Sequence, residues 1–344
     1  MERITLRLAP RAGRPRLTMT AVLLGGFLAA CESTTSAPTS PAIKDLKVNA
    51  DITPFPGCNV NACTVPPRIL FVSERAGNPE IYSMKYNGTE VVRLTYNSAV
   101  DNYPSWSPDY SKLAFVSTRT GSFQIFTMNA DGSNVTQLTS SGQNSWPHWS
   151  PDGTKIVFHR TYDQQRYQIY TMNANGGQQT IFRYTTLAVS EGQPTWSPDG
   201  QTIAFKSNVA NPTSGAFDIF TMKVGDPSSQ RRVTTTLRAS HPAFSPDGTQ
   251  IAFVTDPYGT VPKGIYVVNA AGGIPNLVTT SKGVDDYPTF RPDGKRIAFM
   301  SSRAWGGQIG GKWSIFTINL DGTFLNRPSA SIFVHDMNPS WSTN

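Results

Sequence analysis

The sequence is poor in the residues most catalytic sites need. Its 344 residues include three cysteines and four histidines. The histidines, His148, His159, His241 and His335, fall on separate segments. No Gly-x-Ser-x-Gly elbow occurs, so a serine-hydrolase nucleophile has no turn to sit on. No His-Glu-x-x-His pair occurs, which removes the helical zinc-protease site. The longest apolar run, residues 21–30, is ten residues, too short to span a bilayer as a helix. The formal net charge is +7, but five arginines against one glutamate in the first thirty residues carry four of those charges, leaving +3. A nucleic-acid surface gathers Lys and Arg on one face, and nothing here does so; no nucleic-acid partner is expected.

The first thirty residues read as an address. Arg3, Arg7, Arg11, Arg14 and Arg16 precede the apolar run "AVLLGGFLAA", which ends in "LAAC" at Cys31. That order resembles a bacterial lipobox, in which the Cys is lipidated and becomes the mature N-terminus. The alternative is an ordinary secretory signal with a Cys nearby. A lipid anchor tethers a protein to a membrane without a spanning helix. Residues 31–65 then read as a flexible, Ser/Thr/Pro-rich linker. Near its end stand Cys58 and Cys63, an even pair in an exported chain, read as a small disulfide loop. A zinc half-site is the alternative, but no second Cys or His pair accompanies it.

From residue 66 the chain repeats itself. "YPSWSPDYSKLAF" at 103 returns as "WPHWSPDGTKIVF", "QPTWSPDGQTIAF", "HPAFSPDGTQIAF" and "YPTFRPDGKRIAF", and a truncated "NPSWSTN" ends the chain. The anchors Trp106, Trp149, Trp196, Phe244, Phe290 and Trp341 are spaced by 43, 47, 48, 46 and 51 residues. A period in the forties built of short strands and turns indicates propeller blades. Each unit reads as strand A with Pro-x-Trp, a Pro-Asp-Gly turn, strand B, a loop, strand C ("QIYTM"), an Asn/Asp-Gly turn and strand D. The first strand B, "RILFVS", lacks a strand A, and the last strand A lacks a strand B. The expectation is an all-β, six-bladed β-propeller of four-stranded blades over 66–344, closed by the C-terminal strand in the first blade. Such closure removes exposed sheet edges. Tyr110 replaces the turn glycine of the first copy, so that turn is expected to differ in shape.

The motif residues build the scaffold: the Trp/Phe anchors as inter-blade core, the Asp residues as turn formers. The B–C and D–A loops share one face. The B–C loops, 74–79, 118–123, 161–167, 208–217, 256–263 and 302–313, vary in length, and variable loops on a rigid scaffold are where binding residues sit. Aromatic residues on this face are Tyr103, Trp146, Tyr162, Tyr167, Tyr258, Tyr287, Trp305 and Trp313. Three residues before each strand-A proline stand Asp101, Asn144, Glu191, Ala239, Asp285 and Asp336. Three readings stay open for these acids: caps of their own D–A loops, a channel mouth that binds a partner's cation, or an oxygen-ligand site for calcium. The first is preferred. Arg75, Arg119 and Arg303 are expected to pair with neighbouring acids. No catalytic residue, metal site or cofactor is assigned.

The string "PxWSPDGxxIAF…IFTMNADG…LT" resembles the repeat of TolB-type, WD-repeat-like propellers over the whole of 66–344. That family implies a periplasmic protein of the Tol–Pal cell-envelope system with an α/β domain before the propeller. Residues 32–65 are too few for that domain, and the lipobox is another departure. The resemblance therefore implies a monomeric, membrane-anchored envelope protein, facing the periplasm or surface-exposed. It would bind a protein, peptide or glycan through its B–C/D–A face. The alternative is a propeller lyase or hydrolase acting on polysaccharide at the channel mouth, with aromatic loops stacking on sugars.

Overall fold

The computed structural model of the protein describes residues 68–163, 166–183, 189–210, 212–213, 215–235, 238–255, 262–280, 283–303, 311–329 and 335–341. Cys31, Cys58, Cys63, the linker, Tyr258 and Trp305 lie outside the described residues, as does the side chain of Tyr162. No helix among the described residues is long and apolar enough to cross a membrane.

Among the described residues twenty-three strands, numbered in chain order, form six antiparallel sheets. Blade 1 is β1 (Arg68–Ser73), β2 (Glu80–Lys85) and β3 (Val92–Arg93), joined by the C-terminal β23 (Asp336–Trp341). Blade 2 is β4 (Asp101–Trp106), β5 (Lys112–Ser117), β6 (Gln124–Asn129) and β7 (Thr136–Gln137). Blade 3 is β8 (Gln143–Trp149), β9 (Lys155–Asp163), β10 (Arg166–Asn173) and β11 (Thr180–Ile181). Blade 4 is β12 (Glu191–Trp196), β13 (Thr202–Ser207), β14 (Asp218–Lys223) and β15 (Asp226–Arg232). Blade 5 is β16 (Ala239–Phe244), β17 (Gln250–Thr255), β18 (Ile265–Asn269) and β19 (Asn276–Leu277). Blade 6 is β20 (Asp285–Phe290), β21 (Arg296–Ser301) and β22 (Ser314–Asn319), with a single Thr317–Asn326 bridge in place of a fourth strand.

The ring closes as the sequence implies: Ile69 of β1 pairs with Trp341 of β23, and Ser73 with Asp336. The strand A of each blade packs against that of the next, so the six A strands surround the axis. Strands B are apolar on both faces because each blade is covered by two neighbours. β1 is buried at all six positions. One phenylalanine per B strand, Phe71, Phe115, Phe158, Phe205, Phe253 and Phe299, is fully buried.

Two expectations need correction. The first concerns Tyr110, which takes φ 57°, within the left-handed region used by Gly153 (69°) and Gly200 (69°). Its N–H donates to Ser107 O at 3.0 Å, as Gly153 N donates to Ser150 O at 2.9 Å. The turn keeps its shape because Ser107, Asp109 and Ser111 bond it together, and the Tyr110 ring packs edge-on against Trp106. The second is the B–C loop of blade 3, expected over 161–167. β9 runs on to Asp163 and β10 begins at Arg166, so this segment is a lengthened hairpin.

Candidate functional site

Every A strand carries a bulge before its Pro-x-Trp. In blade 2, Asn102 pairs with Val116 and Ser105 with Ala114, so Tyr103 and Pro104 together oppose one residue of β5. Proline has no N–H to lose, so the ladder is interrupted where it costs least. The residue before the proline takes a left-handed φ in all six blades: Tyr103 50°, Trp146 55°, Gln193 54°, His241 53°, Tyr287 54° and Asn338 50°. For a residue with a Cβ this is strained by about 1–2 kcal/mol. The bulges bring these six side chains and their prolines together around a central cavity of about 130 Å³.

The rings that meet there stack on each other. Tyr103 and Trp146 lie 4.0 Å apart between centroids, and His241 and Tyr287 4.1 Å. Trp146 also meets His159 at 4.9 Å, tilted by 32°, His159 stacks on Tyr167 at 5.0 Å, and Tyr167 on Phe217 at 6.1 Å. The row therefore runs from the axis outward across blades 3 and 4. Gly192 makes room for it: a Cβ there would stand 2.6 Å from the Tyr167 ring and 3.0 Å from His159 Nδ1. Lys206 lies beside the outer end, its Nζ 5.2 Å from the Tyr167 centroid and 4.7 Å from that of Phe217.

Burial sets the charges. It lowers Lys206 from 10.5 to about 8. It lowers His148 to about 4. His159 falls to about 3, through burial first and then the Lys206 charge, so both imidazoles are neutral at pH 7. Burial also pushes the Tyr167 phenol up to about 12.

His241 is tied on both ring nitrogens. Its backbone N–H donates to Gln193 Oε1 at 2.9 Å, which fixes the amide's orientation. Gln193 Nε2 must then donate to His241 Nε2, 2.6 Å away, leaving the proton on Nδ1, which donates to Asp286 Oδ1 at 2.7 Å. A general base needs a nitrogen free toward substrate, and His241 has none. His148 is half-buried and bonds Thr195 and the Trp149 carbonyl, while His335 bonds Trp313 N and Lys312 at the blade 1 rim. His148 and His241 both line the central cavity, but each has both ring nitrogens bonded within the protein, and His335 lies apart from them. Among the described residues no group of three His, Cys, Asp or Glu side chains is placed to hold a metal ion.

The acidic positions do not line the mouth. Asp101, Asn144, Glu191, Asp285 and Asp336 are buried, each at or below 1% exposure, and each is bonded within its own blade or to the blade before it. Arg75 Nη2 donates to Asp336 at 2.9 Å, Arg119 to both oxygens of Asp101 at 3.1 and 3.0 Å, and Arg303 to Asp285 at 2.5 Å. Arg160 Nε donates to Asn144 at 2.9 Å, and Arg183 donates to Glu191. Each of Arg75, Arg119 and Arg303 also bonds a serine of its own B strand and lies over two aromatic rings. A buried carboxylate is retained only where paired, and these are paired. The purely local capping reading is also incomplete: Asn97 and Ser141 of the D–A loops take part, but arginine is the main partner.

Tyr103, Trp146 and Tyr287 thus meet at the axis, whereas Trp313 packs into the core between blades 6 and 1. Sequence reasoning passed over Gln193, Asn338, Lys206, Phe217 and Asp286. The first two occupy the pre-proline position of the repeat, which aligning the copies shows directly.

These features define a six-bladed propeller with a built polar and aromatic channel mouth. The chain belongs to the TolB β-propeller family, whose domain model matches residues 35–160 and 230–344. No curated protein matches it in sequence. Among solved structures it is similar to TolB from Acinetobacter baumannii, with 22% identity and TM-score 0.66, over 80% of this chain and 66% of that one. The putative TolB from Agrobacterium tumefaciens gives 20% identity and TM-score 0.60, over 80% and 92%. A chain of a nidogen/laminin complex gives 13% identity and TM-score 0.62, over 80% and 98%. The chain spans just under two thirds of the Acinetobacter protein's length. At these identities the likeness is one of fold.

Proposed function

We propose that this chain is a cell-envelope binding protein, lipid-anchored through Cys31, that holds a protein partner at the channel mouth on its B–C/D–A face. The observation that carries the reading is the convergence of Tyr103, Trp146, Gln193, His241 and Tyr287 on one cavity. Aromatic side chains with polar tips, held on rigid strands, are the usual anchors of protein recognition. Catalysis gains no support from this geometry, since His241 is bonded on both nitrogens. Sugar stacking gains none either, because Trp146, His159 and Tyr167 each have rings on two sides.

The test is site-specific photocrosslinking in the cells that make the protein. A photoreactive phenylalanine replaces Phe217, at the end of the blade 4 B–C loop, or Phe324, 74% exposed in the C–D connection on the opposite face. The expected result is one dominant envelope-protein adduct from position 217 and none from 324. Absence of an adduct at 217, or the same adducts from both positions, overturns the reading.

A further inference from the structure

The repeat provides its own comparison set for the mouth. The fifth residue of strand B is Val72, Val116, Val254 or Met300 in four blades. In neighbouring blades 3 and 4 it is His159 and Lys206. The scaffold does not need a cation at this register, since four copies bury an apolar side chain there. The arginines two residues beyond strand B, at 75, 119 and 303, each have a carboxylate partner. Among the described residues Lys206 has no carboxylate within ion-pair distance and its ammonium has no hydrogen-bond acceptor; the rings of Tyr167 and Phe217 are its neighbours. Aromatic faces attract an ammonium but do not satisfy its three N–H donors.

The surrounding charges are few. Asp286 attracts Lys206 through space, but its Oδ1 already accepts from His241 Nδ1 and from the Tyr287 N–H at 2.9 Å. Lys263 also acts on Asp286, and His159 carries no charge at neutral pH. A half-buried ammonium that reaches solvent at the outer end of the aromatic row, with no protein acceptor among the described residues, can receive an anion. The neighbouring Trp146, His159 and Tyr167 each have other rings on two sides, so an acidic sugar finds beside the charge only Phe217, which has the single ring partner Tyr167. A carboxylate on a peptide needs no ring face.

We propose that Lys206 selects an acidic peptide: the partner's Asp, Glu or C-terminal carboxylate binds the Lys206 ammonium between Tyr167 and Phe217. This rests on the binding role proposed above and adds the charge of the ligand. The experiment titrates the protein calorimetrically at low ionic strength with end-blocked triglutamate, end-blocked triglutamine and trigalacturonate. Triglutamate is expected to bind about tenfold more tightly than triglutamine, the worth of one charge-assisted hydrogen bond. Lys206→Met, which copies Met300 and so suits the fold, is expected to abolish the difference, and Lys206→Arg to retain it. Equal binding of the glutamate and glutamine peptides, or a preference unchanged by Lys206→Met, overturns the proposal. Binding of trigalacturonate without triglutamate overturns the peptide assignment. A partner crosslinked at position 217 and captured equally by Lys206→Met removes this inference while leaving the binding role in place.

Discussion

Replacing Lys206 with methionine should make the protein more stable. Methionine is unbranched and one atom shorter than lysine, and it already occupies the equivalent position, Met300, where it is 7% exposed. Burial lowers the Lys206 pKa from 10.5 to about 8, so holding the charge in the folded state is unfavourable at pH 7. At about 1.4 kcal/mol per tenfold change in proton affinity this comes to roughly 3 kcal/mol, reduced to roughly 2 by the residual solvent contact of the side chain. Loss of the contacts with Tyr167 and Phe217 returns about 1 kcal/mol. A net gain of about 1 kcal/mol corresponds to a rise in Tm of roughly 2–4 °C. The sign of the pH dependence is fixed by linkage. Between pH 8 and 10.5 the unfolded chain binds more protons than the folded one, so wild-type stability rises with pH through that window. The advantage of Lys206→Met should therefore be full below pH 8 and shrink toward zero near 10.5. Urea unfolding followed by circular dichroism at pH 7 and pH 10 measures it. A Lys206→Met protein less stable than wild type at pH 7, or an advantage of the same size at both pH values, refutes the reasoning.

Three further outcomes follow from the geometry. His148 and His159, lowered by burial to about 4 and about 3, stay neutral in the fold while the unfolded chain takes up protons below pH 6.5. Stability should fall from pH 6.5 toward 3, and His159→Val, which copies Val72 and Val116, should flatten the urea-midpoint curve by up to about 1.4 kcal/mol per pH unit. Asp285→Ala leaves the Arg303 guanidinium buried without its partner and should cost about 3–5 kcal/mol in urea melts, part of which Arg303→Met on the same chain restores. Trp149→Phe should cost under about 1.5 kcal/mol in the same assay, because the buried indole N–H has no acceptor among the described residues and Phe290 fills the same position in blade 6. Trp149→Ala should cost about 3–5 kcal/mol.

The propeller was legible because a repeat multiplies each local signal. One Trp-Ser-Pro-Asp-Gly is a turn; five copies at a spacing in the forties fix the strand order, the blade count and the split first blade. Tyr110 shows the limit of local rules. A bulky residue stands where the other copies use glycine, yet Ser107, Asp109, Ser111 and Trp106 hold it in the same left-handed conformation. The buried arginine–acid pairs were half legible: the arginines were expected to pair with acids, but the acids' burial was not. An aspartate three residues before a proline looks the same in sequence whether it faces a channel or an arginine. What decides is the bulge, which swings the next residue but one into the channel and leaves the aspartate at the strand's start, inside its own blade.

The same bulge explains why the mouth varies while the scaffold repeats. Pre-proline backbone strain occurs in all six blades, so it belongs to the architecture and cannot by itself mark a ligand site. The side chain placed there is released from core packing and need only tolerate φ near 50°. Tyrosine, tryptophan, glutamine, histidine, tyrosine and asparagine occupy the six positions, whereas the Trp/Phe anchor three residues on hardly changes. Substitution at the anchor disturbs two blades, but substitution at the bulge alters mainly the lining of the channel. Lys206 differs again: it replaces a core residue of the repeat, so its unfavourable burial has no scaffold explanation. Departures from the repeat at core register, rather than strained positions common to every copy, are therefore where a propeller's specific ligand is written.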